Sequence, residues 1–175
     1  MAVLAFGLVA LWGTGLLIAG LTDLGRFVIP NRLNLFLGLV ALLALLLALF
    51  GGQMDPLRAL LHAAVAAATL AAGIVLFLRR YIGGGDAKLL AVLALWSGPA
   101  DISGTLAGAV LLGGVFSLLI LAFRALPLPA TLLARPALAR LHDKGGPVPY
   151  GVPIVAAGLM ALPGSTLATA LFALG

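Results

Sequence analysis

From Ala2 to Thr22 the chain carries no charged side chain. Apolar runs of similar character recur from Leu33 to about Phe50, Ala59 to Leu78, Gly83 to about Gly98, Ile102 to Phe123 and Gly151 to about Leu174. Crossing about 30 Å of hydrocarbon takes roughly 20 helical residues, so each run is close to one membrane span. The expected fold is therefore all-α, a polytopic membrane protein of six transmembrane helices. Composition agrees: 63% of the 175 residues are hydrophobic and 9% are charged, which excludes an ordinary soluble domain. Nothing basic precedes the first run and no A-x-A-like site follows it before Asp23, so it reads as a retained span and not as a signal peptide.

The ten cations sort by loop. Arg26 and Arg32 flank the first turn, Arg79, Arg80 and Lys88 the third, and Arg124, Arg135, Arg140 and Lys144 the fifth, leaving only Arg58 on the other side. They form no contiguous patch, which argues against nucleic acid as a partner and makes the basic balance a topology signal. By the positive-inside rule the odd loops are cytoplasmic and both termini lie outside. The fifth loop, residues 125–149, is long and proline-rich. Its middle, Thr131 to Leu141, alternates leucines with Arg135 and Arg140, as in a short interfacial helix on an anionic leaflet.

All five acidic residues are Asp, and there is neither Glu nor Cys, so any carboxylate chemistry falls to Asp23, Asp55, Asp86, Asp101 and Asp143. The missing cysteines exclude disulfides and a cysteine-held zinc site; no ligand cluster for another metal is visible, and no cofactor is expected. Asp55, ahead of Pro56, and Asp101, ahead of Ile102, read as helix N-caps. Asp143 reads as a solvated surface group.

Asp86 is different. The uncharged run beyond Lys88 ends at Ala100, too short to cross a bilayer, so the helix must begin earlier and Asp86 lies in or at the edge of the membrane. An ionisable group there costs about 2.5–3.5 kcal/mol or more and marks a functional site by default. Gly83, one turn before it, leaves room for a second backbone. Lys88, at i+2, points elsewhere and is assigned to snorkelling in preference to a direct catalytic part. The loop count puts Asp23, at the end of the first helix, on the same side and at the same depth. After Asp23, Pro30 forces Ile29 out of helical geometry, and Asn31 is placed to cap the second span. His62 reads as a packed or interfacial histidine.

Two carboxylates at one membrane depth are the minimum apparatus of an aspartic protease. Brought to about 3 Å they hold one proton between them. One then acts as base on a water while the other polarises the scissile carbonyl.

Asp23 with Ile29-Pro30-Asn31, Gly83-Gly84-Gly85-Asp86-Ala87-Lys88-Leu89, and Val148-Pro149-Tyr150-Gly151 resemble, in order and over nearly the whole chain, the three landmarks of type IV prepilin peptidases. The resemblance implies a single membrane peptidase domain over residues 1–175, of the GxGD aspartic type, in the bacterial inner (cytoplasmic) membrane. It implies Asp23 and Asp86 as the catalytic pair, Gly83 and Gly85 as the motif glycines, and a prepilin or pseudopilin as substrate, cut after a short basic leader at the cytoplasmic face. Longer members add a cysteine-paired cytoplasmic region and a methyltransferase activity. This chain starts directly with a span and lacks cysteine, so it resembles the short, peptidase-only form associated with Flp/Tad-type pili. The GxGD motif is shared with presenilin and signal peptide peptidase; Pro136-Ala137-Leu138 spells their PAL tripeptide but lies in a loop among arginines.

Such a substrate needs lateral access between helices. Gly104 and Gly108 offer close-packing faces that equally suit ordinary helix packing or a homo-oligomer contact. Two non-enzymatic readings stand beside the peptidase: a small transporter using Asp86 as an ion or proton site, and a pilus or secretion assembly subunit pairing Asp23 and Asp86 with partner cations. The outer halves of the helices are almost wholly apolar, which disfavours the transporter.

Overall fold

The computed structural model describes residues 2–174, and among them the only regular structure is helical. The elements are α1 (Ala2–Arg26), α2 (Asn31–Phe50), α3 (Pro56–Leu78), α4 (Gly84–Ala125), the short α5 (Ala130–Leu133) and α6 (Pro136–His142), α7 (Gly151–Ala161), a 3-10 turn (Leu162–Gly164) and α8 (Thr166–Phe172). Four helices, α1 to α4, are long and apolar enough to cross a membrane, and the α7–α8 pair, bent by 43°, makes a fifth candidate span.

The 42 residues of α4 would measure about 63 Å if straight, twice the hydrocarbon thickness. They are not straight. Gly98 takes φ 65 and ψ −173, and Pro99 comes directly after it. Ser97 Oγ and Thr105 Oγ1 lie 3.2 Å apart, whereas eight residues along a straight helix rise about 12 Å. The chain therefore doubles back, giving a first limb, 84–97, and a second limb, 99–125. Pro99 has no N–H to offer the Leu95 carbonyl four residues before it. His62 of α3 supplies the replacement, its Nδ1 donating to Leu95 O at 2.9 Å. The His62 ring also occupies the space where any Cβ at residue 98 would stand, and the ring is buried, as expected of a packed histidine.

This early start of the second limb corrects the cap expected at Asp101. Asp101 lies inside the helix, and its Oδ2 accepts from the N–H and hydroxyl of Thr166, at 2.7 and 2.8 Å, at the start of α8. Asp55 does cap α3: its Oδ1 accepts from Arg58 N at 2.9 Å, with Pro56 in the first turn. The single helix expected over 131–141 is two, because Arg135 is extended ahead of Pro136.

The buried stripe of α1 runs Ala5, Leu8, Trp12, Leu16 and Ala19, steps of three and four that put one face inward. The Trp12 ring stacks on Trp96 of the first limb at 4.4 Å, and Trp96 Nε1 donates to Ser165 Oγ at 3.0 Å. Leu37, Leu89, Leu93, Ile154, Leu167 and Leu171 belong to the same core. Leu43, Val75, Val110, Leu118 and many similar side chains point outward, as lipid-facing residues must.

Candidate active site

The buried stripe of α1 continues one turn beyond Ala19 to Asp23, which is why this carboxylate faces inward; it is 5% exposed. Its Oδ2 accepts a 2.7 Å hydrogen bond from the backbone N–H of Gly151, 128 positions away. Gly151 opens α7, so its N–H has no partner within that helix, and a helix N-terminus favours negative charge. A Cβ at Gly151 would stand 2.8 Å from Asp23 Oδ2 and 2.8 Å from Ile29 Cδ1, so only glycine lets the two segments meet.

Asp86 stands in the first turn of α4, where its Oδ2 accepts from Gly83 N at 3.3 Å. The three glycines before it serve different ends. A Cβ at Gly85 would meet Ile29 Cβ at 3.1 Å and the Ile29 carbonyl oxygen at 3.4 Å, so Gly85 is where a second backbone approaches. Gly83, to which the sequence assigns that role, instead faces its own Asp86 carboxylate, and Gly84 packs on the Phe77 ring. Ile29 thus lies between Gly151, which touches Asp23, and Gly85, which precedes Asp86.

Asn31 does not cap α2. Pro30 occupies the cap position, and Asn31 Oδ1 accepts from Lys88 Nζ at 2.7 Å. Lys88 is exposed and ties the start of α2 to the start of α4. One turn further, Asn34 is buried and its Nδ2 donates to Gly85 O at 3.3 Å, while its Oδ1 has no partner. Sequence reasoning passed over Asn34, although an amide one turn into an apolar span, at the head of the stripe Leu37, Ala41, Ala44, Ala48, is a detectable signal.

Asp86 opens onto a cavity of about 880 Å³. Its walls are Leu76 and Phe77 at the end of α3, Arg80 to Gly83, Leu106, Ala109 and Val110 of the second limb, and Pro147, Val148, Tyr150 and Ile154. Pro149 is buried, and the Tyr150 ring packs where Gly113 has no side chain, since a Cβ there would collide with the phenol. Gly104 and Gly108 lie away from this cavity, lining an outer groove of about 670 Å³. A Cβ on Gly104 would meet nothing, so Gly104 does not serve packing within this chain, whereas Gly108 faces Ala157. Asp143 is exposed, and its carboxylate accepts from Gly145 N within its own turn. Asp55 and Asp101 are bound to helix starts, whereas Asp86 lines the cavity and Asp23 lies buried behind the Gly151 end of its wall.

A family model described as the type IV leader peptidase family matches residues 9–118. The chain belongs to that family. No curated protein and no solved structure matches it. The matched segment contains Asp23, Ile29 to Asn31 and Gly83 to Asp86, and membership in a leader peptidase family carries the expectation of a protease. Tyr150 and Gly151 fall beyond the match; the fold brings Gly151 to Asp23 and seats the Tyr150 ring at Gly113.

Proposed function

We propose that this protein is an aspartic endopeptidase of the bacterial inner membrane that removes the short basic leader from type IV prepilins or pseudopilins at the cytoplasmic face, in the manner of the Flp/Tad-associated peptidases. The observation that carries the reading is the gathering of Asp23 and Asp86 from two helix ends around Ile29 and Gly151, with Asp86 facing a large, mostly apolar cavity. Six passes give the topology: α1, α2, α3, the two limbs of α4, and α7 with α8. With the basic loops inside, both termini lie outside, and the pair sits at the inner leaflet where a basic leader meets an apolar helix.

In the reaction a water held between the carboxylates loses a proton to one of them and attacks the scissile carbonyl, whose oxygen takes a hydrogen bond from the other. The new C–O bond forms, the C–N bond breaks, and the protonated carboxylate returns a proton to the leaving amine. The backbone N–H of Gly151 holds Asp23 in place through this exchange, and the Lys88–Asn31 and Asn34–Gly85 hydrogen bonds hold the start of α4 against α2. The apolar cavity walls suit the first turns of a pilin helix entering from the bilayer. No residue of the 175 is assigned to methyl transfer.

Co-expression with a prepilin tests the reading by gel mobility. Asp23→Asn and Asp86→Asn should each abolish leader removal with the protein still folded, while Asp55→Asn, Asp101→Asn and Asp143→Asn process normally. Full processing by either catalytic variant would sink the assignment, and with it the topology-based pairing.

A further inference from the structure

Arg124, in the last turn of the second limb of α4, is only 6% exposed. An arginine at a membrane edge ordinarily extends its charge into water, and a buried guanidinium without an anion is costly. No carboxylate pairs with it: among the described residues the one side-chain ion pair is Arg58 with Asp55. Instead Nε donates to the Leu141 carbonyl at 2.8 Å and Nη2 to the Pro147 carbonyl at 2.9 Å. The planar fork of the guanidinium thus grips both ends of the turn 142–146.

The strap 147–151, which leads from that turn into α7, makes the grip consequential. Pro147 and Pro149 fix two of its φ angles, so it transmits displacement instead of absorbing it. Its last residue, Gly151, donates to Asp23 Oδ2. Tyr150, next to it, seats its ring at Gly113 on the same limb that carries Arg124. Arg124 itself does not line the Asp86 cavity.

We propose that Arg124 is a positioning residue for the Asp23 carboxylate, acting through the Pro147 carbonyl and the 147–151 strap. The inference rests on the peptidase reading for its catalytic meaning, but its structural content stands apart. The full chain, in membranes, is treated with a hydrophobic carbodiimide and carboxyl modification is read by mass spectrometry. In the unsubstituted protein Asp86, in the cavity, reacts faster than Asp23, which the strap covers. Arg124→Gln should raise modification of Asp23 about tenfold and leave unchanged that of Asp101, which is bound to the start of α8 away from the strap. Arg124→Lys, which can satisfy one carbonyl but not both, should fall between. In parallel, kcat for leader removal should drop roughly 10- to 100-fold for Gln, more than KM rises, and recover in part for Lys. Asp23 as protected in both variants as in the parent overturns the proposal, whatever happens to activity. Loss of the whole fold in both would overturn it too, since Arg124 would then hold the bundle and not the strap. If the parent removes no leader, the peptidase reading fails while the Asp23 labelling still decides the strap.

Discussion

Gly151→Ala tests whether the close approach of α7 to Asp23 is a requirement of the site. The added Cβ would lie 2.8 Å from Asp23 Oδ2, 2.9 Å from Asp23 Cγ and 2.8 Å from Ile29 Cδ1, against ordinary contacts of 3.4 Å or more. Something must therefore give by about half an ångström. Ile29 meets the new methyl only with its terminal Cδ1, which can turn aside, so the contact that decides is the one with the Asp23 carboxylate. Asp23 cannot follow its own helix outward without leaving the buried stripe that Trp12 and Leu16 anchor. The strap is the element left to move, and in moving it lengthens the 2.7 Å hydrogen bond to Asp23.

A misplacement of about 1 Å costs on the order of 100-fold in rate, so half of that predicts roughly a tenfold loss of kcat. Overpacking of this kind destabilises by about 1–3 kcal/mol, which a membrane helix bundle tolerates. The assay is the time course of leader removal by purified enzyme in detergent, with circular dichroism for helix content. Gly104→Ala is the control, because its Cβ meets nothing within 4 Å and should leave the rate unchanged. Gly151→Ala cleaving at the parental rate with intact helicity would refute the claim that the Gly151–Asp23 contact sets the geometry of the pair.

Other substitutions separate catalytic from structural roles. Asn34→Leu removes the donor to Gly85 O together with an unpartnered buried oxygen, so leader removal should slow up to about fivefold while the melting temperature holds or rises, read by kinetics and thermal unfolding in detergent. His62→Phe leaves the Leu95 carbonyl without its donor at the Pro99 break; a loss of about 1–3 kcal/mol should appear in thermal unfolding, with the cleavage rate retained. Asp101→Ala strips two hydrogen bonds from the start of α8, and about 0.5–2 kcal/mol of stability should go with them while processing stays normal.

The features legible in the sequence were local or periodic. Apolar run length separates the helices, and the doubling back of α4 was visible as two runs split near Gly98 because a bilayer cannot accommodate one. Asp23 and Asp86 stood out because a carboxylate among apolar residues needs a reason. Side chains whose partner lies on another element escaped. Asn31 is flanked by every sign of a cap, yet Pro30 satisfies the first turn by backbone geometry, and the amide oxygen is then free for Lys88. Asp101 preceded an apolar run just as Asp55 did, but Gly98 starts its helix early and turns the carboxylate toward α8. The motif glycines were read by spacing, which cannot say which one meets a neighbour; only the path of Ile29 assigns that to Gly85. Arg124 looked like one more cytoplasmic charge, and its burial became visible only once the 141–147 turn folded over it. In each case the residue's chemistry was readable and its partner was not. The site therefore depends on a small number of long-range backbone contacts, at Ile29, Gly85, Pro147 and Gly151, and substitutions that shift those contacts should disturb the Asp23–Asp86 pair more than substitutions in the apolar spans around them.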